Sequence, residues 1–281
     1  MSDESLPPLK IPDLLRKFGL RPNKRLGQNF LVDETALKRV VDAANILKED
    51  VILEVGAGVG NLTRLLARGA NKVIAVEIDQ NLLPPLRKVL SGFENVQIVY
   101  GDILALDLNR LITSSQYLVV ANIPYYITSS LIQHLLEAEN KPKRMVLTVQ
   151  SEVGIRICAQ PNDMSLLALS VQVYGEPHIV GRIPAEDFYP TPEVDSSIVH
   201  ITLFPSPVIP SHHIERFFRL AKAGFSQKRK TLRNSISAGM GWQKSKTEKL
   251  LHTVGVDPKR RAETLHIEEW HAITEESYKL D

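Results

Sequence analysis

Residues 122–127, N-I-P-Y-Y-I, place an amide, a proline and two tyrosines directly after the apolar run Y-L-V-V-A. The amide oxygen of Asn122 and the backbone carbonyl of Pro124 are hydrogen-bond acceptors, and the proline ring restricts the direction of that carbonyl. The ring of Tyr125 offers a flat surface for stacking, whereas we expect Tyr126 to pack inwards. These groups can hold a planar ligand, although an isolated N-x-P-Y more often only ends a strand.

A glycine cluster follows an earlier apolar run, in E-V-G-A-G-V-G-N-L-T (54–63). Gly56, Gly58 and Gly60 allow a sharp turn and a close approach of the backbone to a ligand. The spacing G-x-G-x-G differs from the G-x-G-x-x-G of dinucleotide sites and lacks the Lys-Ser/Thr of triphosphate loops. An ordinary tight turn remains the alternative for the glycines alone.

Two acids end the next two apolar runs, Glu77 in V-E-I-D and Asp102 in G-D-I-L. At the carboxyl end of a parallel strand, a carboxylate in the position of Glu77 can accept hydrogen bonds from two ribose hydroxyls. Asp102 can accept from the exocyclic amine of a purine. Singly, each acid is more typical of a loop or a helix cap. Together with the glycines they indicate an adenosine-bearing ligand without a pyrophosphate, and S-adenosylmethionine fits this description.

Apolar runs alternate with helix-like segments, which predicts an α/β fold with a parallel sheet covered on both faces. Strands are expected at 51–55, 72–79, 96–102, 117–122, 144–150, 167–174 and 197–204. Helices are expected within 11–20, where the helical spacing ends at a glycine, at 34–44 with Asp33 as the N-cap, and at 61–68, 81–90 and 129–137. Beyond the proline-rich break at 205–211 the pattern is wholly helical, so we expect one domain over 1–205 and a small helical domain over 206–281.

The net charge of +2 is unevenly distributed along the 281 residues. Residues 205–261 contain thirteen Lys and Arg against three Asp and Glu, and residues 262–281 contain one Lys against six acids. Such a basic block indicates a surface that faces a polyanion, or alternatively a solvated helix face. The one cysteine, Cys158, excludes an internal disulfide and a thiolate metal cluster. With no signal-peptide core and no apolar run of about 20 residues, the expectation is a cytoplasmic protein without a metal.

Several segments together resemble one known family. L-G-Q-N-F-L-V-D (26–33), the glycine cluster, V-E-I-D, G-D-I-L, N-I-P-Y-Y-I, F-Y-P-T-P-E-V-D-S (188–196) and F-S-Q-K-R-K-T-L-R-N (225–234) occur in that family's order. The chain resembles class I S-adenosylmethionine-dependent methyltransferases, and more narrowly the ribosomal RNA adenine dimethyltransferases of the KsgA type, with the Erm methylases as relatives. The resemblance implies a Rossmann-like methyltransferase sheet and a C-terminal helical RNA-binding domain.

The resemblance also implies roles for particular residues. Asn122 and Pro124 would accept the two hydrogens of an adenine amine, and Tyr125 and Phe188 would stack on the base. S-adenosylmethionine would be held by Asn29, Leu31, Gly56, Gly58, Glu77, Asp102 and Asn122. RNA would be bound by Lys228, Arg229, Lys230 and Arg233, expected within about two helical turns, and by Arg260 and Arg261.

The implied activity is N6,N6-dimethylation of two adjacent adenosines in the 3′-terminal hairpin of small-subunit (16S) ribosomal RNA, within a 30S-type particle and with a role in small-subunit biogenesis. We expect the enzyme to act as a monomer. One alternative is an Erm-like enzyme that acts on large-subunit RNA. Another is a non-catalytic ribosome-assembly or transcription factor on the same fold.

Overall fold

The computed structural model describes residues 6–280, which form a mixed α/β fold. Its strands are β1 (Phe30–Leu31), β2 (Val51–Val55), β3 (Lys72–Glu77), β4 (Val96–Tyr100), β5 (Tyr117–Asn122), β6 (Arg144–Gln150), β7 (Gly175–Ile183), β8 (Phe188–Tyr189) and β9 (Ser196–Leu203). Its α-helices are α1 (Ile11–Lys17), α2 (Glu34–Ala44), α3 (Thr63–Gly69), α4 (Leu83–Val89), α5 (Leu108–Leu111), α6 (Thr128–Glu137), α7 (Ser151–Ile157), α8 (Leu166–Gln172), α9 (Ile214–Phe225), α10 (Leu232–Met240), α11 (Lys244–Thr253) and α12 (Ile267–Ser277).

Seven strands form the main sheet in the order β4-β3-β2-β5-β6-β9-β7. The five strands from β4 to β6 are parallel, and β9 pairs antiparallel with β6. The chain order reverses between β2 and β5, where Val51 pairs with both Lys72 and Tyr117. In open parallel sheets, ligands bind at such a switch point, outside the carboxyl ends of the strands. Asn122 and the glycine cluster both follow strands that end there.

Buried apolar side chains explain why the central strands read as continuous hydrophobic runs. Strands β2, β3, β5 and β6 are buried along nearly their whole length, as expected for a sheet covered on both faces. One apolar cluster joins helix α2 to these strands, including Leu37, Val40 and Ile52. Another packs helix α4 on the sheet through Leu83, Leu86 and Leu90. The N-cap at Asp33 is confirmed, since its carboxylate accepts the amide N–H of Ala36 at 2.7 Å.

The segment 167–174, expected to be a strand, is helix α8 instead. The alternating apolar letters also fit a helix, because Ala168, Leu169 and Val171 fall on one buried face. The Ser165 hydroxyl caps this helix by accepting the N–H of Ala168 at 3.1 Å. The edge strand of the sheet is instead formed by the segment that follows this helix, β7. No strand pattern marks this segment, since β7 contains Pro177 and several exposed positions, both of which an edge strand tolerates.

Contacts divide the chain into two compact units. The first runs to Gly154 and includes His178–Leu203; the second comprises Ile155–Pro177 and the chain from Phe204 onwards. The expected boundary at 205/206 lies close to the last passage between the units, at 203/204, but residues 155–177 group with the C-terminal helices rather than with the sheet. Backbone hydrogen bonds contribute to that grouping, because the N–H groups of Asn162 and Met164 both donate to the carbonyl of Glu263, at 2.8 and 3.2 Å. No helix within residues 6–280 combines the length and apolar character needed to cross a bilayer.

Candidate active site

A cleft of about 540 Å³, including its open mouth, lies at the switch point of the sheet. Its lining comes from three places in the sequence: the loop Leu26–Phe30, the glycine cluster with the end of β3, and the segment Asn122–Tyr125. The structure therefore brings together five of the residues predicted to bind the cofactor. These are Asn29, Gly56, Gly58, Glu77 and Asn122.

The glycine cluster has the backbone conformation that its composition predicts. Gly56, Gly58 and Gly60 have φ angles of +76°, +59° and +88°. At Gly58 a Cβ atom would lie 3.0 Å from the ring of Phe30, so a side chain there would both strain the backbone and displace that ring. The loop can be this compact only because its alternate residues lack side chains.

Glu77 is 4% exposed, and backbone N–H groups hold both of its oxygens. Gly58 donates to Oε2 at 2.7 Å and Asp79 donates to Oε1 at 2.8 Å. Burial raises the pKa of Glu77 from its ordinary value, and the two backbone bonds oppose that shift. The carboxylate is thus fixed in the cleft wall, and each oxygen keeps a second lone pair for a ligand hydroxyl.

Glu54 is a site residue that the sequence reasoning missed. It is 1% exposed in the middle of β2, and its Oε2 has no hydrogen-bond partner among residues 6–280. It lines a second cavity of about 360 Å³ together with Leu31, Gly56, Gly58 and Asn122. Burial above all, with the nearby charge of Glu77, raises the pKa of Glu54 to about 8. The available signal was an acid inside the otherwise apolar run V-I-L-E-V.

Asn122 is oriented by one hydrogen bond. Its Nδ2 donates to the backbone carbonyl of Asn29 at 3.0 Å, and the Asn29 side chain donates in turn to the carbonyl of Gly27. A carbonyl can only accept, so this bond decides which end of the Asn122 amide is nitrogen. Within residues 6–280 no donor reaches Oδ1, which leaves that oxygen as an acceptor in the cleft wall.

Pro124 and Tyr125 follow in a short 3-10 turn. The Pro124 carbonyl accepts the N–H of Ile127 at 3.1 Å, which fixes its direction and leaves one lone pair. The Tyr125 ring lines the cleft, and its hydroxyl shares a 2.8 Å hydrogen bond with the Ser196 hydroxyl. Burial raises the pKa of Tyr125, so the phenol stays protonated at neutral pH.

Tyr126 does not pack inwards as expected. It is 58% exposed, and its ring lies against Gly27, where a Cβ atom would come within 3.2 Å of it. The 3-10 turn turns this side chain away from the core and towards the loop that precedes β1. Burial, the charge of Asp102 and that of Glu77 raise the pKa of Tyr126.

Three further predicted residues lie around the cleft rather than in its lining. Leu31 lines the second cavity. Asp102 is exposed, and its Oδ1 accepts the N–H of Leu104 at 3.0 Å, as a turn-forming aspartate does. Phe188 is 3% exposed and packs in the apolar cluster that contains Leu31. The reason is the antiparallel pair β1–β8, which sets Phe188 opposite Leu31.

The predicted RNA-binding residues form two groups in the second unit. Lys228, Arg229 and Lys230 are exposed in a turn between α9 and α10 rather than on a helix, so the expected continuous helix there is wrong. In contrast, Arg233 pairs with Glu248 at 3.1 Å and Arg261 with Glu263 at 3.8 Å. Arg260 pairs with Glu269 and also donates to the hydroxyl and carbonyl of Thr264. Of the six predicted RNA-binding residues, only Lys228, Arg229 and Lys230 have no acidic partner within residues 6–280.

Comparison with known proteins decides the family. A family model described as ribosomal RNA adenine dimethylase matches residues 19–279. The chain belongs to this family.

Two bacterial relatives named "Ribosomal RNA small subunit methyltransferase A" illustrate the similarity within the family. One, from Dehalococcoides mccartyi, is 41% identical over 262 residues, which cover 93% of this chain and 90% of the relative. The other, from Moorella thermoacetica, is 42% identical over 272 residues, covering 93% and 94%. Similarity over nearly the whole of both chains includes the cleft segments and the C-terminal helices alike.

Two solved structures have a fold similar to that of this chain over most of its length. A dimethyladenosine transferase from Plasmodium falciparum has a TM-score of 0.77 at 26% identity, covering 89% of this chain and 98% of that one. The 23S rRNA methyltransferase ErmE has a TM-score of 0.72 at 26% identity, covering 88% and 98%. The expectation of a Rossmann-like methyltransferase fold with C-terminal helices is confirmed.

Proposed function

We propose that this chain dimethylates the N6 amines of two adjacent adenosines in the 3′-terminal hairpin of small-subunit ribosomal RNA, with S-adenosylmethionine as the methyl donor. The orientation of the Asn122 amide carries the proposal. Its nitrogen is bonded to the chain itself, and its oxygen is left as an acceptor at the carboxyl end of the switch-point strand. The names of the bacterial relatives support the small-subunit substrate.

The residues present fit the cofactor. Glu77 offers two fixed carboxylate oxygens for ribose hydroxyls. Glu54 offers an unpartnered buried oxygen, which suits an ammonium group such as that of an amino-acid moiety. When bound, S-adenosylmethionine supplies a methyl group on a positively charged sulfur. At Gly56 a Cβ atom would lie 3.6 Å from Pro124 and 3.7 Å from the Asn122 carbonyl oxygen, so the cofactor loop and the acceptor segment are in direct contact.

The acceptor segment activates the amine by position and hydrogen bonding. The nitrogen of adenine's amine is a weak nucleophile because its lone pair is delocalised into the ring. Asn122 Oδ1 and the Pro124 carbonyl can each accept one amine hydrogen, which draws the lone pair back onto nitrogen. Both acceptors are held in advance, one by Asn29 and the other by Ile127, so little reorganisation is needed. A general base is not required, since the product ammonium loses its proton readily.

Tyr125 supplies the stacking surface for the base. Its hydroxyl bond to Ser196, which is fully buried, holds the ring against the cleft. Stacking of a base on an aromatic ring is worth about 1–3 kcal/mol and offsets the removal of the base from its own stack. Phe188 would be the second stacking ring only after it leaves the apolar cluster in which this structure places it.

The second unit would bind the RNA through the turn at 228–230. Three adjacent exposed cations suit phosphate contacts, which position RNA without reading its sequence. The three ion-paired arginines near this turn contribute less to phosphate binding, because acidic partners already neutralise them. We therefore propose that Lys228, Arg229 and Lys230 are the main phosphate-binding residues and that Arg233, Arg260 and Arg261 hold the helices around them.

The decisive experiment compares Asn122→Ala with the wild type in cofactor binding and in methyl transfer to small-subunit particles. The variant should bind the cofactor within a few-fold of wild type but lose about 10²–10³ in turnover, the typical effect of deleting one hydrogen bond to a transition state. Normal turnover in the variant would overturn the acceptor mechanism.

The similarity to ErmE keeps one alternative open, namely that the substrate is large-subunit RNA. Offering labelled cofactor with purified small or large particles decides between the two. Label in large-subunit RNA would favour the alternative. No label in either particle, with intact cofactor binding, would favour a non-catalytic assembly factor.

A further inference from the structure

Three side chains of the second unit, none of them among the cleft or RNA-binding residues, lie close together. They are His213, directly before α9, and His271 and Glu275, four residues apart on one face of α12. One ligand atom from each lies within 4.8 Å of the other two. We propose that these side chains form a Zn²⁺ site that links the start of α9 to α12. No local sequence pattern predicts this site, because the two histidines lie 58 positions apart.

Two imidazole nitrogens in this group lack partners. His213 Nδ1 and His271 Nε2 are buried, and neither has a hydrogen-bond partner among residues 6–280. Buried polar atoms in native proteins are nearly always satisfied, so a pair of orphaned nitrogens beside a carboxylate needs an explanation. The nearest acid does not supply it, since Glu275 Oε1 is 3.6 Å from His271 Nε2, outside hydrogen-bonding distance. A cation held by all three groups would satisfy both rings at once.

The surroundings favour the neutral imidazole, which is the form that binds a metal. Burial lowers the pKa of His213, His212 and His271 lower it further, and Glu275 opposes them. The His213 ring is also held in place, 4.1 Å from the ring of His212 and 5.0 Å from that of Tyr278 between centroids.

The other charges nearby are engaged elsewhere. Arg216 donates to the hydroxyl and carbonyl of Ser277 at 3.0 Å and lies over the rings of Trp242 and Tyr278. Glu276 pairs with Lys279 at 2.6 Å. The cation would therefore meet one free carboxylate, that of Glu275.

The donor set selects the metal. Two imidazoles and one carboxylate suit Zn²⁺, whereas Mg²⁺ and Ca²⁺ prefer oxygen ligands throughout. Tetrahedral zinc with bonds of about 2.0–2.1 Å needs ligand atoms about 3.3 Å apart, so binding must draw atoms that are now up to 4.8 Å apart together by up to about 1.5 Å. Glu275 is exposed and can make that movement. A water molecule would complete the four-coordinate site.

The test uses the full chain without a histidine tag, stripped of metal with a chelator and then titrated with Zn²⁺. Calorimetry should show saturation at about one Zn²⁺ per chain, and the thermal unfolding midpoint should rise with Zn²⁺ because the ion binds the folded state. Co²⁺ in place of Zn²⁺ should give the intense visible absorption of a tetrahedral site. No saturable binding by the wild type would overturn the proposal.

Variants separate the site from incidental binding by surface histidines. Loss of a group that only supports a metal ligand typically weakens metal binding by about 10–100-fold. His213→Gln and His271→Gln each remove a ligand itself, so each should weaken Zn²⁺ binding by more than this. The matched control is His212→Gln, whose ring touches His213 but lies outside the ligand group. Equal weakening in this control would overturn the assignment. Circular dichroism in chelator, expected to match wild type, and unchanged cofactor binding show that each variant is folded.

Discussion

Glu54 lies in a strand whose other side chains are apolar, and the fold holds its carboxyl in the protonated form. Its folded pKa, about 8, lies above the ordinary value of 4.5. Between these two values the folded state therefore binds more protons than the unfolded state, and the free energy of unfolding falls as pH rises. A ligand cation that binds beside Glu54 would reverse this preference by stabilising the carboxylate.

Replacement of Glu54 by Gln should remove this pH dependence. Relative to Glu54→Gln, the wild type should lose stability as pH rises from about 5 to about 8, by up to about 1.4 kcal/mol per pH unit. Glu77 is present in both proteins, so the difference between them reports the titration of Glu54 together with its coupling to Glu77. Urea denaturation across this range measures it. Parallel curves for the two proteins would show that Glu54 is not held protonated.

The ring and the hydroxyl of Tyr125 have separable roles. Tyr125→Ala removes the stacking surface and should lower kcat/KM for the particle by roughly 10–100-fold, the equivalent of about 1–3 kcal/mol. Tyr125→Phe keeps the ring and loses only the bond to Ser196, so its loss should be a few-fold.

Ser196→Ala removes the same hydrogen bond from the other side. It should therefore match Tyr125→Phe, and the double variant should be no worse than either single one. Additive losses in steady-state kinetics would show that Ser196 acts on something other than Tyr125.

At the scale of elements, helices α9 and α10 approach more closely than any side chain would allow. A Cβ atom at Gly239 would lie 2.4 Å from the Ala223 Cβ and 2.7 Å from its Cα. Because backbone cannot move aside as a flexible side chain does, Gly239→Ala must push the helices apart.

We expect Gly239→Ala to destabilise the second unit by about 1–3 kcal/mol or more, as overpacking generally does. The control is Gly92→Ala, where a Cβ atom meets nothing within 4 Å. Hydrogen exchange should rise in α9 and α10 of the first variant alone, with cofactor binding retained in both. Unchanged exchange in Gly239→Ala would mean that the helices can separate without loss.

The elements that sequence predicts best are those whose environment is uniform. Strand β2 and helix α2 have the bounds expected of them, since the first is buried on both faces and the second has one continuous buried apolar stripe. Helix α8 was misread because its apolar letters satisfy two periods at once. Strand β7 was missed because edge strands carry polar residues and Pro177.

The site follows the same logic. Gly56, Glu77 and Asn122 are predictable because each residue type suits its local position. Gly56 adopts a positive φ, and Glu77 and Asn122 place hydrogen-bond acceptors at the ends of strands. The exposure of Tyr126 and the burial of Phe188 depend on which distant segments meet, such as β1 with β8, and no local pattern contains that information.

For the whole molecule, the uneven distribution of charge bears more on RNA binding than the net charge of +2 does. The basic block of 205–261 contains two kinds of cation, which sequence alone does not separate. Residues 228–230 are exposed and without acidic partners in the described chain, whereas Arg233 and Arg260 are paired. Arg260 also carries the carbonyl that accepts the N–H of Leu232, at the start of α10.

Replacement of residues 228–230 by alanine should therefore weaken RNA binding uniformly without affecting stability. The slope of log affinity against log salt should become shallower by about 2, since each phosphate contact contributes about 0.7–0.9. Arg260→Ala should instead reduce stability. It should lower the unfolding midpoint, while the slope of log affinity against log salt stays within about one unit of wild type. A control removes three exposed charges from the first unit, at Lys38, Arg87 and Lys88. If that control changed the slope as much as the turn variant, net charge rather than the turn at 228–230 would govern RNA binding.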